Sequence, residues 1–246
     1  MREYSLKERT RTVLSDARYK LLPVLERPLD KHSLIGAGTF FEAAQFPWAV
    51  ELEKNWCLIQ QELDTILQNH QAIPNFQEVL PSQQRLTNDN DWKTFMFYGY
   101  GHKMEANCDR CPNTAHLIEQ VPGMKTAFFS ILSPGKHIPA HRGFYKGVLR
   151  YHLGLIVPEP KEQCRIRVGN DIRHWEEGKS MIFDDTFDHE VWNETDGVRV
   201  VLFMDVIRPL PFPWSSWNHM MIKLISWVPE IQQASKNQDK WTHRSN

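Results

Sequence analysis

Apolar residues recur near a 3.6-residue period from Trp48 to Gln68, where Val50, Leu52, Trp56, Ile59, Leu63, Ile66 and Leu67 fall together. Glu51, Glu53, Lys54, Gln60, Glu62 and Asp64 take the other side, so the stretch predicts one amphipathic helix. The pattern changes at Trp92, where WKTFMFYGYG predicts a strand that closes at Gly99 and Gly101. A short helix follows over Asn113–Gln120, with Asn113 or Thr114 as its cap and Pro122-Gly123 as its stop. Beyond it the period drops to two. Strands are expected over Thr126–Leu132, Val148–Val157, Cys164–Val168, Lys179–Phe183 and Val198–Val206, with Gly, Pro and Asn/Asp turns between them. Short strands spaced this closely predict a sandwich or barrel, not a parallel sheet with helices between its strands.

Helices are expected at both ends. Glu3–Leu22 is charged and helix-like, closed by Pro23 and Pro28. Trp214–Val228 places Trp214, Trp217, Met221, Leu224, Ile225 and Val228 on one face, widened by Met220 and Trp227. The division is a helical extension over 1–91, a β core over 92–209, and a Trp-rich helix with a polar tail over 210–246. Together they read as one structural domain, mainly β with flanking helices.

Charge and cysteine usage narrow the function classes. The net charge is −1, so no global field recruits nucleic acid. Cys108 and Cys111 form a lone C-x-x-C, half of a structural zinc site, and read as reduced thiols. Gly36 and Gly38 lack phosphate-loop spacing and read as a turn. No run reaches the ~18 apolar residues of a membrane span. The expectation is a cytoplasmic protein whose membrane contact, if any, is weak, peripheral and made through 214–228.

The β core carries the chemistry. His141-Arg142-Gly143 and His189 supply imidazoles suited to iron, which non-haem oxygenases hold with two His and one carboxylate. Gly143 stands where that carboxylate would be. His137 and His141 have zinc-helix spacing, but Pro134, Gly135 and Pro139 argue against a helix there. Two ordinary histidines remain the plain alternative. Strand alternation puts Leu149, Tyr151, Leu153, Leu155 and Val157 on one face and Arg150 with His152 on the other. Arg199 shares its face with Val201 and Phe203, where a guanidinium needs a carboxylate. That partner is a dicarboxylate cosubstrate or a local acid such as Asp196 or Asp205.

Residues 92 to 209 resemble the aspartyl/asparaginyl β-hydroxylase family of Fe(II)- and 2-oxoglutarate-dependent dioxygenases. The matching text is S-P-G…H-x-G, L-R-Y-H-L-G-L-I-V-P, W-E-E-G-K, I-F-D-D-x-F-x-H-E-V-W-N and R-V-V-L-F-x-D-V-x-R-P, in the family order. The resemblance implies a double-stranded β-helix of the jelly-roll, cupin-like class. It implies His141 and His189 as iron ligands, and Arg199 on the distal carboxylate of 2-oxoglutarate. Ser130, Arg150 and His152 would complete the cosubstrate contacts, with O2 as the oxidant. Asp184, Asp185 and Glu190 are candidates to orient His189, with a turn-capping role for at least one aspartate. Gly143 is similar to vertebrate members that hydroxylate Asp and Asn side chains. RYHLGLIVP, Cys111-Pro-Asn-Thr and DVIRP look like the lipid-hydroxylating bacterial branch. The expected substrate is therefore an amino acid, a peptide side chain or a lipid acyl chain. Two other functions fit the same residues: a halogenase using the vacant position at Gly143, and a non-catalytic β-barrel binding module.

Overall fold

A computed structural model of the chain describes residues 25–69 and 73–227. The helix expected over 3–22, the polar tail and Val228 lie outside the described residues. Two antiparallel sheets make up the core. The larger contains β1 (Phe40–Phe41), β2 (Trp92–Gly99), β3 (His102–Lys103), β4 (Met124–Leu132), β6 (Val148–Ile156), β9 (Ser180–Phe183) and β11 (Arg199–Ile207), in the order β1-β9-β6-β11-β4-β2-β3. The smaller contains β5 (His137–His141), β7 (Cys164–Val168), β8 (Asp171–His174) and β10 (His189–Asn193), in the order β5-β10-β7-β8. From β4 to β11 the chain passes back and forth between the sheets. That alternation is the double-stranded β-helix.

Side-chain alternation sorts the residues between inside and outside. Trp92, Met96, Phe128, Leu132, Ile138, Ile166, Phe183, Val201 and Phe203 fill the space between the sheets. Leu149, Tyr151, Leu153, Leu155, Leu202 and Met204 point out of the large sheet, where helices cover them. The cover comes from α1 (Pro47–Lys54) and α2 (Trp56–Leu67), which bury Ala49, Leu52, Ile59, Leu63 and Ile66. Each such aliphatic side chain contributes roughly 1.5–3 kcal/mol on full burial. Further helices are α3 (Phe76–Val79), α4 (Glu105–Arg110), α5 (Pro112–Glu119) and α6 (Trp214–Ser226), and residues 25–31 are helical as well.

Three details differ from expectation. The single helix over 48–68 breaks at Asn55, whose φ of −103° and ψ of 9° leave the helical region. Its Nδ2 donates to the Glu51 carbonyl at 2.9 Å, the local competition that makes Asn a poor mid-helix residue. Val157 faces the inner cluster, not the side of Leu155, because the β6–β11 register slips between Val200 and Val201. The strands β5, β8 and β10 were not expected from the hydrophobic pattern. The helical extension also gives the large sheet β1, which pairs with β9.

Gly154 marks the tightest point of β6. A Cβ there would lie 2.1 Å from the carbonyl oxygen of Glu176, with Gly154 bridged in parallel to Glu177. Gly154→Ala is expected to destabilise the fold by about 1–3 kcal/mol through overpacking against backbone. A shift of the urea midpoint to lower concentration at constant slope would report it, and an unchanged midpoint would contradict the packing.

Candidate active site

His141 ends β5 and His189 begins β10, and the antiparallel register sets them directly opposite. Their ring centroids are 4.1 Å apart. β5 is an edge strand, so it tolerates Pro139, which has no N–H to give to a neighbour. Each ring is fixed by its own strand entrance. His141 Nδ1 lies 2.8 Å from the Pro139 carbonyl and His189 Nδ1 3.0 Å from that of Phe187. A carbonyl only accepts, so each Nδ1 carries the proton and each Nε2 presents a lone pair. Burial, with His189 beside it, pushes His141 down to about 3; burial and Arg150 push His189 down to about 4. Both rings are neutral near pH 7, the form that binds metal.

The acids around them have other tasks. Asp184 Oδ1 accepts the Thr186 N–H at 3.0 Å and its Oδ2 pairs with Arg208 at 2.5 Å, so it caps the turn before His189 and fastens it to β11. Glu190 points outward to His137 and Arg167. Asp185 pairs with Arg150 at 2.8 Å. None of the three orients the His189 ring through its side chain; the Phe187 carbonyl does. Among the described residues no third His, Cys, Asp or Glu joins the pair as a metal group. A Cβ on Gly143 would lie 2.1 Å from Asp185 Cγ. The space that a residue-143 side chain needs is thus filled by Asp185, whose buried Oδ1 has no partner.

A line of contacts leads from the histidines into the barrel. Phe183 sits 5.9 Å from the His189 ring and 5.1 Å from that of His152. Trp175 Nε1 donates to His152 Nδ1 at 3.3 Å. Since Nδ1 accepts, neutral His152 carries its proton on Nε2, and that buried atom has no partner among the described residues. Desolvation, with Arg199 and Arg150 nearby, holds His152 well below its ordinary range. Trp175 also supports the Arg199 guanidinium at 4.5 Å from its ring centre. Arg199 is 1% exposed, and its Nε and Nη1 have no hydrogen-bond partner among the described residues. Desolvation lowers it to about 10.

The two acids considered for Arg199 do not pair with it. Asp205 bonds Arg150 at 3.2 Å, and Asp196 makes no ion pair with Arg199 among the described residues. Arg150 therefore serves two carboxylates, Asp185 and Asp205, and lies over the Phe203 ring at 4.4 Å. Ser130 is buried on the inner face of β4, where its Oγ accepts from Trp92 Nε1 at 3.1 Å and keeps its own proton to donate. All six expected site residues face the barrel interior or its mouth. Sequence reasoning missed Trp175 and Trp92 as site residues, and it gave Asp185 to His189 where the structure gives it to Arg150. Trp175 stands in the W-E-E-G-K text, and that text was its only available signal.

Comparison with known proteins identifies the family. The family model described as aspartyl/asparaginyl beta-hydroxylase matches residues 53–209. The ornithine lipid ester-linked acyl 2-hydroxylase of Rhizobium tropici is 45% identical over 211 residues, covering 86% of this chain and 75% of that protein. The human aspartyl/asparaginyl beta-hydroxylase is 37% identical over 163 residues, covering 64% of this chain and 21% of that protein. The human aspartate beta-hydroxylase domain-containing protein 2 is 32% identical, covering 64% of this chain and 44% of that protein. The chain thus spans less than half the length of these two human relatives.

Two predictions follow from the histidine and glycine geometry. Unfolded histidines titrate near ~6.5, so between that pH and about 4 the unfolded state binds more protons than the folded one. Stability is therefore complete above ~6.5 and declines as pH falls toward 4. His141→Gln should flatten that decline in urea titrations of the metal-free protein; an equally steep decline would remove the pair as its source. Gly143→Asp should destabilise by about 1–3 kcal/mol because it overlaps Asp185, and the double variant with Asp185→Gly should recover most of the loss. Additive losses in the double variant would rule out a shared space.

Proposed function

This chain belongs to the aspartyl/asparaginyl β-hydroxylase family and is an enzyme of the hydroxylase class, and from that premise we propose that it is an Fe(II)- and 2-oxoglutarate-dependent dioxygenase that hydroxylates an unactivated carbon of a lipid acyl chain. One observation carries the reading: Arg199 is a fully buried guanidinium with orphaned donors, and buried His152 Nε2 is orphaned too. An unmet buried donor costs about 1–3 kcal/mol, more when charged. A ligand with two carboxylates relieves that cost, and 2-oxoglutarate has that chemistry. Its distal carboxylate would pair with Arg199 and accept a hydrogen bond from the Ser130 hydroxyl. His152 would donate from Nε2. Arg150 contributes through whatever nitrogen Asp185 and Asp205 leave unused, and holds those acids in place.

Iron fits the other end. His141 and His189 are neutral, oriented through Nδ1, and open at Nε2. When bound, Fe(II) with O2 supplies the oxidising chemistry that hydroxylates the substrate carbon while the cosubstrate leaves as succinate and CO2. The protein's own work is positional. Phe183, Phe203 and Trp175 wall the chamber with apolar surface that excludes water, and the Asp184–Arg208 pair fixes the turn bearing His189.

The substrate class rests on the Rhizobium tropici relative, whose name gives an ester-linked acyl chain as its substrate. An amino acid or peptide side chain is the alternative, carried by the human relative's name. A lipid substrate is met at a membrane, so the reading includes weak peripheral contact there. Halogenation is disfavoured because the Asp185 carboxylate fills the region beside Gly143 that an anion would need. Family membership stands against a purely non-catalytic module.

Titration calorimetry with Mn(II) and 2-oxoglutarate should show both binding, and absence of either would defeat the proposal. His189→Ala is expected to reduce 2-oxoglutarate turnover to background. Arg199→Ala removes a charged hydrogen bond of about 1.5–3 kcal/mol, so the half-saturating 2-oxoglutarate concentration should rise roughly 10- to 100-fold. Unchanged cosubstrate dependence in that variant would sink the assignment. Turnover across ornithine-type lipids, peptides and free amino acids identifies the substrate class.

A further inference from the structure

The apolar face expected on the last helix is not all turned the same way. Asn218, Ile222 and Ile225 are buried against Leu29, Tyr145 and Leu210, with Trp214, Trp217 and Met221 partly covered beside them. That contact accounts for the core-facing half of α6. The outward stripe should then be charged, as on an ordinary surface helix. It is not. Met220 is 46% exposed, Leu224 48% and Trp227 65%, at helical spacings of four and three residues. Phe212, just before the helix, is 83% exposed. Leu34, 66% exposed, is held beside this segment by its N–H bond to the Pro209 carbonyl at 3.1 Å.

The polar residues of the stripe are as one-sided as its apolar ones. Ser216, His219 and Lys223 complete it, and no Asp or Glu occurs anywhere from Pro209 to Trp227. Lys223 Nζ lies 6.0 Å from the Trp227 ring centre, so an aromatic and a cation stand side by side at the outer end. Exposed Lys31 adds a second positive charge next to His32, whose ring stacks on Trp214 at 4.9 Å, and the acid beside it, Asp30, is paired with Lys146 at 3.1 Å. Large apolar groups, terminal aromatics and cations without acids suit the boundary of an anionic bilayer.

The surface is also joined to the active site. Asn218 Nδ2 donates to the Gly147 carbonyl at 2.8 Å, and Tyr145 is packed under Ile222 and Ile225. Both belong to the segment that leaves His141 for β6. Phe144 in that segment is itself 37% exposed. A body seated on α6 therefore sits next to the loop that starts at a proposed metal ligand.

We propose that the outward stripe of α6, with Phe212 and Leu34, rests on a phospholipid bilayer carrying anionic headgroups and holds the mouth of the chamber against it. This rests on the reading of the substrate as a lipid acyl chain. Met220, Leu224, Trp227 and Phe212 enter the boundary between headgroups and acyl chains, while Lys223 and Lys31 meet lipid phosphates. The shallow seat needs no membrane-crossing helix, and among the described residues none is long and apolar enough to cross. It brings an acyl chain to the barrel mouth without extracting the whole lipid into water.

Flotation of the full chain with vesicles of phosphatidylcholine and phosphatidylglycerol tests this. The wild type is expected to float, and to float less with phosphatidylcholine alone. The triple variant Met220→Glu, Leu224→Glu, Trp227→Glu should lose vesicle binding at least ~10-fold while still binding Mn(II) and 2-oxoglutarate in calorimetry. That retained binding shows that it is folded. Failure of the wild type to float overturns the proposal, as does undiminished flotation of the triple variant. So does a dimer in light scattering that the triple variant dissolves, because a second copy would then own the stripe. Vesicle binding seen only after removal of residues 228–246 would equally overturn it, by making the tail the occupant. Flotation without turnover on any lipid would leave the surface standing and reject the substrate reading; turnover on detergent-dispersed lipid without flotation would do the reverse.

Discussion

A buried positive charge with donors left unbonded among the described residues governs this molecule. Arg199 opens the central strand β11, is almost wholly shielded from water, and keeps two of its nitrogens unbonded. Left alone, such a group is a liability of several kcal/mol. The surroundings soften the cost without cancelling it: Trp175 offers the face of its ring, and that same indole steers the His152 proton inward. On the proposed function, the chamber is polarised for an anion before one arrives. Preorganisation of this kind is what makes a bound dicarboxylate both tight and correctly oriented.

Other ions in the core are settled, and their settlement makes Arg199 conspicuous. Arg150 takes Asp185 and Asp205; Arg208 takes Asp184; Lys136 takes Asp89. The first two pairs clamp the turn between β9 and β10 to the central strands. That turn delivers His189 opposite His141. Structural electrostatics therefore hold the facing histidines, while Arg199 keeps unbonded donors among the described residues at the other end of the same chamber.

The strands that carry the histidines were the hardest to see in the chain. His137–His141 reads HIPAH and His189–Asn193 reads HEVWN, and neither shows a run of alternating apolar residues. Each strand gives one inward position to an imidazole and one to an aliphatic, Ile138 or Val191, and the Pro in β5 is tolerated because that strand lies at an edge. The hydrophobic pattern needs several alternating apolar residues, so a five-residue strand with a single buried aliphatic falls below its threshold. The long inner strands β4, β6 and β11 were plain because both their faces are covered.

Residue order by itself determined the β architecture, the inward pairing of Arg150 with His152, and the inward direction of Arg199, because side chains alternate along any strand. It also named His141 and His189 through the family motifs. It did not determine which acid belongs to which arginine. Arg150 and Arg199 are equally hungry for a carboxylate in the linear chain, and only the folded register gives Asp205 to the first and, among the described residues, no acid to the second. Nor did it decide what fills the space beside Gly143, where a turn distant in sequence places Asp185. The last helix shows the same division: its composition announced an apolar surface, but which half faces the core and which faces out was set by Tyr145 and Gly147 packing against it. Local pattern records what each residue requires. Only tertiary contact decides whose requirement is met.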